Sequence, residues 1–150
     1  MIALVACLGA QQLWAQEVEK QAVKEVVEGF FQAFHAQDSL GMKQYMAENV
    51  VLQTTGRNKE GKTQFRTTPI GKLYESIVRI PDSISFQEKL TSWNIQVDRT
   101  MANAWVGYEF WLNDTFSHCG INSFQLVNFD GTWKIIYLID TRGRAGCQEY

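Results

Sequence analysis

The spacing of apolar residues changes near residue 83, and the change predicts two kinds of secondary structure. Before that point, apolar side chains recur with the period of a helix. The clearest segment, residues 17–37, carries a broad stripe of valine and phenylalanine opposite glutamate and lysine. After residue 83, apolar and polar residues alternate, as they do in strands that bury one face. Helices followed by an antiparallel meander indicate an α+β fold.

The same pattern sets approximate bounds for the other elements. A second, short helix is predicted to begin at Asp38 or Ser39, both of which suit an N-cap, and a third helix is predicted at residues 70–80. Residues 56–69 are polar and are predicted to form a loop. Strands are predicted at residues 50–56, 84–97, 102–112, 118–129 and 132–141.

The Asp130-Gly131 pair predicts a two-residue hairpin turn, because a type I′ turn needs positive φ at both central positions. Regular pairing across this turn places Phe124 opposite Tyr137 and leaves Asp140 on the other face, which a β-bulge in the last strand would reverse. A second hairpin is predicted across residues 98–101. The more apolar face, which we expect to meet the helices, carries His118, Asn122, Phe124, Leu126, Trp133, Ile135 and Tyr137.

The N-terminus has the pattern of an export signal. An apolar run from Ile2 to Ala10 is followed by a small-residue end at Ala15, as in a secretory signal peptide. No Lys or Arg precedes the run, and a buried helix is the alternative. The segment LVAC, ending at Cys7, also resembles a lipoprotein box, but the apolar run before it is short for one, so lipidation ranks second. We predict a signal peptide at residues 1–15, one domain at residues 16–150 and a periplasmic or secreted protein, with no membrane association after cleavage.

Charge and cysteine content narrow the range of partners. The chain of 150 residues has a net charge of −2 and no Lys/Arg-rich run, which argues against nucleic acid as a partner. Cleavage of the signal would leave Cys119 and Cys147. In an oxidising compartment these two cysteines would either form a disulfide or stay as buried thiols, and both alternatives are open.

The segments NAWVGYEFWLND and HCGINSFQLVNFDGTWKIIYLIDTR, after a helical N-terminus, resemble the NTF2-like superfamily. The resemblance covers about residues 20–147 and is nearest to the small exported bacterial branch called SnoaL-like or putative lumazine-binding. It implies a cystatin-like α+β cone, in which three helices pack on a bent sheet around a pocket, often in a dimer. Members include isomerases, dehydratases and binding proteins, so the fold alone does not choose a function.

The catalytic sets of this superfamily do not map onto the sequence. The isomerase chemistry needs a carboxylate base with a tyrosine and a protonated acid as oxyanion donors. The matching places hold Phe30, Phe31 and Phe34 on the first helix and the carboxylate-free segment NVVLQTTG. Asp98 and Arg99 resemble part of the Asp–Arg–Asp set of epoxide hydrolases of this fold, but they lie in a predicted turn, which favours a solvated role.

His118 is the best single candidate for chemistry. On the inner face near Asn122, it could act as a general acid/base or bind a ligand, and a structural histidine at a strand start is the alternative. Cys119 is adjacent on the same strand and so points to the opposite face. This argues against a shared metal ion and against a Cys–His catalytic pair, and no metal or cofactor is predicted.

These observations favour a domain that binds a small, partly apolar molecule in the cone. One alternative is a SnoaL-like isomerase or dehydratase that uses His118, which a carboxylate within hydrogen-bond reach would favour. Another is a structural or accessory dimer whose cone is plugged by its own side chains. Trp105 and Trp111 on the outer face favour a sheet-to-sheet homodimer. The predicted pocket residues are Phe30, Phe34, Trp93, Tyr108, His118, Asn122 and Tyr137.

Overall fold

The computed structural model describes residues 3–147, with side chains described from residue 14 onward. Its helices are α1 (Ala3–His35), α2 (Ser39–Tyr45) and α3 (Ile70–Val78). Its strands are β1 (Met46–Arg57), β2 (Thr63–Thr68), β3 (Phe86–Asp98), β4 (Met101–Leu112), β5 (Thr115–Phe129) and β6 (Thr132–Thr141).

The strands form one curved sheet in the order β2-β1-β6-β5-β4-β3, and the helices pack against one face of it. Neighbouring strands are antiparallel except β1 and β6, which are parallel. The buried core joins one stripe of α1 to the inner face of the sheet, as an amphipathic helix over a half-buried sheet requires. The prediction of an α+β fold is confirmed. The most buried side chains of this core include Val23, Val27, Phe30, Met42, Ala104, Val106, Phe124, Leu126 and Ile135.

Most predicted elements are confirmed, and one is wrong. The backbone of α1 begins well before the predicted helix at residues 17–37, and α2 has Asp38 as its N-cap, whose carboxylate accepts bonds from the Leu40 and Gly41 amides. Residues 56–69 were expected to form a loop, but β2 lies within them and pairs with β1. The pattern failed there because β2 is an edge strand with almost no buried side chain, so its residues show no alternation.

The predicted signal segment, residues 1–15, is not tested by the structure. Residues 1 and 2 lie outside the described residues, and only the helical backbone is described for residues 3–13. The signal peptide and the domain bounds at residues 16–150 therefore stay predictions. None of the helices within residues 3–147 combines the length and apolar character that a membrane span needs.

Both predicted hairpins form. In the β5–β6 hairpin, the pairing of the two strands shifts by one residue part of the way along them. Asp130 and Gly131 have φ of 52° and 93°, as the turn requires. Leu126 pairs with Ile135 as expected, whereas Gln125 pairs with Tyr137, so Ile136 is an extra residue in β6.

This β-bulge reverses the two faces of β6 beyond it. Phe124 lies opposite Leu138 rather than Tyr137, and Asn122 lies opposite Asp140. The expectation that Tyr137 faces the helices and Asp140 faces outward is therefore wrong.

Two further bulges affect the inner face. Thr91 is the extra residue in β3, since Leu90 pairs with Tyr108 while Ser92 pairs with Gly107. Trp93 faces the helices, and regular alternation from Trp93 would place Glu88 on the outer face. The bulge reverses the alternation, so Glu88 also faces the helices. Ser117 is the extra residue in β5, and it precedes His118, which keeps its place opposite Phe110.

The chain beyond β6 turns back over β5. Cys119 and Gly143 exchange two backbone hydrogen bonds of 2.9 Å each, and a disulfide joins Cys119 to Cys147 with a Cα separation of 5.7 Å. Of the two alternatives that the sequence left open, the structure has the disulfide. The segment 143–147 is thereby held against the edge of the cone.

Gly120 allows β5 and β6 to approach closely at this end of the sheet. A Cβ atom there would lie 1.9 Å from the carbonyl oxygen of Thr141, which is too close for any side chain. The same carbonyl accepts the hydroxyl hydrogen of Tyr108 at 2.8 Å. The absence of a side chain at Gly120 therefore lets Thr141 and Tyr108 sit together at the end of the cone.

We predict that Gly120→Ala lowers the free energy of unfolding by about 3 kcal/mol, because the added methyl group would displace the backbone. Gly71→Ala is the matched control: no heavy atom lies within 4 Å of its Cβ position, and alanine favours the helix by about 0.5–1 kcal/mol. Urea denaturation measures both. A Gly120→Ala variant as stable as the wild type would show that the two strands do not approach this closely.

Candidate functional site

A cavity of about 360 Å³ lies between α1, α3 and the inner face of the sheet. One side of it is apolar and the other is polar, which is the usual composition of a small-molecule site. The apolar lining consists of Phe30, Phe31, Phe34, Leu52, Leu73, Ile77, Phe110 and Leu138. The polar side chains that we describe below are Glu88, Tyr108, His118, Asn122, Asp140 and Arg142.

Three phenylalanines of α1 form the apolar wall. Phe30 and Phe31 meet edge to face at 5.2 Å between ring centroids, and Phe31 and Phe34 do so at 6.0 Å. Phe124 of β5 closes the cluster from the sheet side, 6.1 Å from Phe31. Such aromatic pairs stabilise by about 0.5–1.5 kcal/mol beyond burial, so the wall is a fixed surface.

Glu88 and Asn122 form a hydrogen-bonded pair across β4. The Asn122 amide nitrogen Nδ2 donates to Oε1 of Glu88 at 2.6 Å, and Asn122 is 3% exposed. The backbone N–H of Glu88 donates to Nε2 of His35 at 2.8 Å, which fixes the edge strand to the end of α1. Both groups of the pair therefore have set positions beside the apolar wall.

Burial raises the pKa of the Glu88 carboxyl to about 7. The hydrogen bond from Asn122 opposes this rise, the nearby charge of Asp140 adds to it, and Arg142 opposes it. Glu88 keeps a little accessible surface, but that surface lines the cavity and protein surrounds the carboxyl on most sides, so desolvation governs. Near neutral pH, Glu88 is therefore poised to gain or lose a proton.

Asp140 is the second carboxylate of the site, and both of its oxygens are engaged. Oδ1 accepts from the Thr54 hydroxyl at 2.6 Å, and Oδ2 accepts from Nε of Arg142 at 2.7 Å. The side chain of Asp140 is 12% exposed and that of Arg142 is 50% exposed, so the pair runs from the cavity to the surface. Asp140 thus holds Arg142 at the mouth of the cone.

His118 lies at the same end of the cavity. Its ring stacks on Phe110 at 5.0 Å and meets Tyr108 edge to face at 5.8 Å. Its Nδ1 lies 3.0 Å from the Ser117 hydroxyl, and no carboxylate among the described residues hydrogen-bonds to it. Burial lowers the pKa of His118, the charge of Arg142 lowers it further, and the charge of Asp140 raises it in part. Because the pKa lies below its usual value of 6.5, the neutral imidazole predominates at pH 7.

The structure brings five of the seven predicted pocket residues together. Trp93 packs against the core with the Lys24 ammonium 5.3 Å from its ring centroid, and it does not line the cavity. Tyr137 bonds to the Gln53 side chain and is also absent from the lining, because the bulge at Ile136 turns it to the outer face. The five that line the cavity are Phe30, Phe34, Tyr108, His118 and Asn122.

Sequence reasoning missed Glu88, and it placed Asp140 outside the cavity unless the last strand contained a bulge. The signal for Glu88 was a charged residue between Phe86 and Leu90, two apolar residues of the same alternation. Glu88 shares a face with Trp93 only if the strand contains a bulge, and no residue near Thr91 predicts one. Asp140 depended on a bulge in the same way.

Other predicted features lie away from the cavity. Asp98 and Arg99 belong to the β3–β4 turn and do not line it. Trp105 is 50% exposed on the outer face, whereas Trp111 is covered by its bond to Glu109 and by the Lys89 ammonium 4.2 Å from its ring centroid. Within residues 3–147, no group of three or more His, Cys, Asp or Glu side chains is arranged to hold a metal ion.

The fold and this site can be set beside known proteins. Neither a protein-family model nor a curated protein matches the sequence. Solved structures do match. A variant of Rv3472, a protein of unknown function from Mycobacterium tuberculosis, is 16% identical with a TM-score of 0.70 over 89% of this chain and 77% of that one.

Two other structures give the fold its name. A protein of unknown function with a cystatin-like fold from Nostoc punctiforme is 13% identical, with a TM-score of 0.66 over 85% of this chain and 93% of that one. An NTF2-like protein with a cystatin-like fold from Novosphingobium aromaticivorans is 12% identical, with a TM-score of 0.65 over 95% and 93%. The chain therefore has the NTF2-like, cystatin-like fold that its sequence resembles, and the SnoaL-like branch stays a prediction.

The raised pKa of Glu88 makes a prediction about stability against pH. The folded protein binds the Glu88 proton more tightly than the unfolded chain does. The contribution of the protonated carboxyl to the free energy of unfolding is therefore full below pH 4.5 and is lost as the pH rises through about 7. Glu88→Gln keeps an oxygen that accepts from Asn122 and does not titrate. Its free energy of unfolding relative to wild type should rise by about 2–3 kcal/mol between pH 4.5 and 7.5 and then level off.

Denaturation of both proteins across this pH range measures the difference, in which the contributions of His35 and His118 cancel. Glu75→Gln, an exposed position on α3 that does not line the cavity, is the control and should show no such rise. A difference for Glu88→Gln that does not change with pH would mean that Glu88 ionises as an exposed carboxyl does.

Proposed function

We propose that this protein is an exported binding domain that holds a small, partly apolar molecule in its cone. The apolar body of the molecule would lie against Phe30 and Phe34, and its polar groups would face Glu88, Asn122 and His118. The observation that carries this proposal is the cavity itself, about 360 Å³ with one apolar wall and one polar wall. That volume lies in the range of sites for small organic molecules.

The two alternatives from the sequence fit the cavity less well. A structural or accessory role predicts a cone filled by its own side chains, whereas the cavity leaves room for a molecule. An enzyme that uses His118 as acid/base predicts a carboxylate on the imidazole. Instead, the described partner of Nδ1 is the Ser117 hydroxyl. Binding is therefore the better account of His118.

A proton-transfer enzyme of the isomerase or dehydratase type is the second candidate, and Glu88 rather than His118 favours it. A carboxyl with a pKa of about 7 beside an apolar wall suits an acid/base at neutral pH. Such a residue would be expected to move a proton on a bound ligand. Glu88 therefore supports proton transfer as the class of reaction.

Export is supported by two independent observations. Residues 1–15 have the pattern of a signal peptide, and the disulfide between Cys119 and Cys147 suits an oxidising compartment. A periplasmic or secreted location follows from the proposal.

The homodimer through the outer face is supported mainly by Trp105, since Trp111 is covered within its own chain. Analytical ultracentrifugation that shows only monomer at high concentration would exclude that dimer.

The binding proposal is tested with N-phenyl-1-naphthylamine, a neutral apolar dye that fluoresces on entering an apolar site. Wild type should bind it at one site. Leu138→Trp, which fills part of the cavity, should weaken binding by at least about tenfold, or about 1.4 kcal/mol. Phe65→Trp is the matched control, because Phe65 is 61% exposed on β2 and does not line the cavity.

Native mass spectrometry of protein purified from its own host provides a second test. A retained molecule that is lost in His118→Ala would support the proposal. Failure of the wild type to bind the dye, together with a host-purified protein that carries no small molecule, would contradict it.

A further inference from the structure

A second cleft opens next to the cone, between the β1–β2 hairpin and the C-terminal segment. It has a volume of about 960 Å³, and it shares His118 and Arg142 with the lining of the cavity. The two spaces are therefore neighbours at the mouth of the cone. A molecule in the cavity could extend into the cleft past these two side chains.

The charge of this cleft has one sign. Its charged lining residues are Arg57, Lys59, Arg142 and Arg144, and of the described residues that line it none is Asp or Glu. We call it the basic cleft. The whole chain has a net charge of −2, so this cluster is a local excess of positive charge rather than a reflection of composition. Clefts lined by charge of one sign concentrate ligands of the opposite sign.

Most of this positive charge is not neutralised by the protein. In the part of the chain that the structure describes, Arg57, Lys59 and Arg144 form no ion pair. Arg57 donates from Nη1 to the backbone carbonyl of Gly61 at 3.1 Å, which holds its guanidinium in place without removing its charge. Arg142 pairs with Asp140 through Nε alone. The basic cleft thus offers several cationic groups to a ligand.

Both walls of the basic cleft are held in position. On one side, the Asn58 side chain accepts from the backbone amides of Glu60 and Lys62 at 3.0 and 2.9 Å and shapes the hairpin loop. On the other, the disulfide at Cys147 and the backbone bonds of Gly143 keep the C-terminal segment against β5. An anion that binds here would not first have to order two loops, which lowers the entropic cost of binding.

We infer that the basic cleft binds the anionic end of the molecule whose apolar body lies in the cone. The inference rests on the proposed binding function and adds the chemical class of the ligand: an elongated amphiphile with a carboxylate or a phosphate at one end. The phenylalanine wall receives the apolar body. Arg142 sits at the junction, where the Asp140 carboxylate orients it, and Lys59 and Arg144 supply the outer charges.

The test is displacement of N-phenyl-1-naphthylamine by three ten-carbon compounds that differ in the end group: decanoate, decyl phosphate and 1-decanol. For the wild type, both anions should displace the dye at about tenfold lower concentration than the alcohol. Raising the salt concentration should weaken the anions and leave the alcohol unchanged, because salt screens charge. A larger advantage for decyl phosphate than for decanoate would show that the basic cleft prefers a phosphate, and the reverse order would show that it prefers a carboxylate.

The double variant Lys59→Gln/Arg144→Gln locates the anion. It should reduce the advantage of the anions over the alcohol to less than about threefold without changing the affinity for 1-decanol. Arg79→Gln/Arg99→Gln removes the same charge from exposed positions that do not line the cleft, and it should behave as wild type. Thermal unfolding of each variant checks that it is folded.

The outcomes separate this inference from the proposed function. If the dye binds and the three compounds displace it equally, the cone is a binding site and the basic cleft is not a subsite. If the anions keep their advantage in the double variant, the anion binds elsewhere and the inference is wrong. If the dye does not bind, the proposed function fails, and this inference fails with it.

Discussion

Two extra residues, Thr91 in β3 and Ile136 in β6, determine what the cone contains. Each is a β-bulge, and each reverses the alternation of the strand beyond it. As a result Glu88 and Asp140 face the helices, where regular strands would have left both in solvent. The two carboxylates of the candidate site therefore depend on these two bulges.

The apolar surroundings shift the pKa values of two titratable groups of the site, Glu88 and His118, in opposite directions. Burial raises the pKa of Glu88 and lowers that of His118, since it disfavours the charged form of each. The charge of Asp140 is satisfied by Thr54 and Arg142 instead. Near pH 7, Glu88 is close to its pKa and the neutral form of His118 predominates, while several cationic side chains line the basic cleft at the mouth of the cone. This gradient, from an apolar wall to a cationic rim, underlies the proposed binding of an amphiphilic anion.

The sequence pattern predicted those elements of the fold that are determined by residues close together in the chain. Helical periodicity located α1, and the Asp130-Gly131 pair located the last hairpin, because these signals arise from burial and from backbone conformation at the residues concerned. The edge strand β2 was missed since its side chains are exposed on both faces. Phe30 and Phe34 were placed correctly because they belong to a long amphipathic stripe.

The bulges had no comparable signal. Thr91 and Ile136 are ordinary strand residues, without a glycine or proline within two positions of either. The pairing slips because of how the whole sheet curves and packs, which a periodic pattern does not encode. The residues of β6 beyond Ile136 were therefore predicted on the wrong face: Tyr137 was expected in the pocket, and Asp140 was expected outside it.

The most direct test of this account is the pairing of β5 with β6 in solution, observed as cross-strand nuclear Overhauser effects by NMR. The account predicts contacts between the backbones of Asn122 and Asp140 and of Phe124 and Leu138. Contacts of Asn122 with Ile139 and of Phe124 with Tyr137 would show a regular hairpin without the bulge. Asp140 would then face away from the cone, and the site described here would not form.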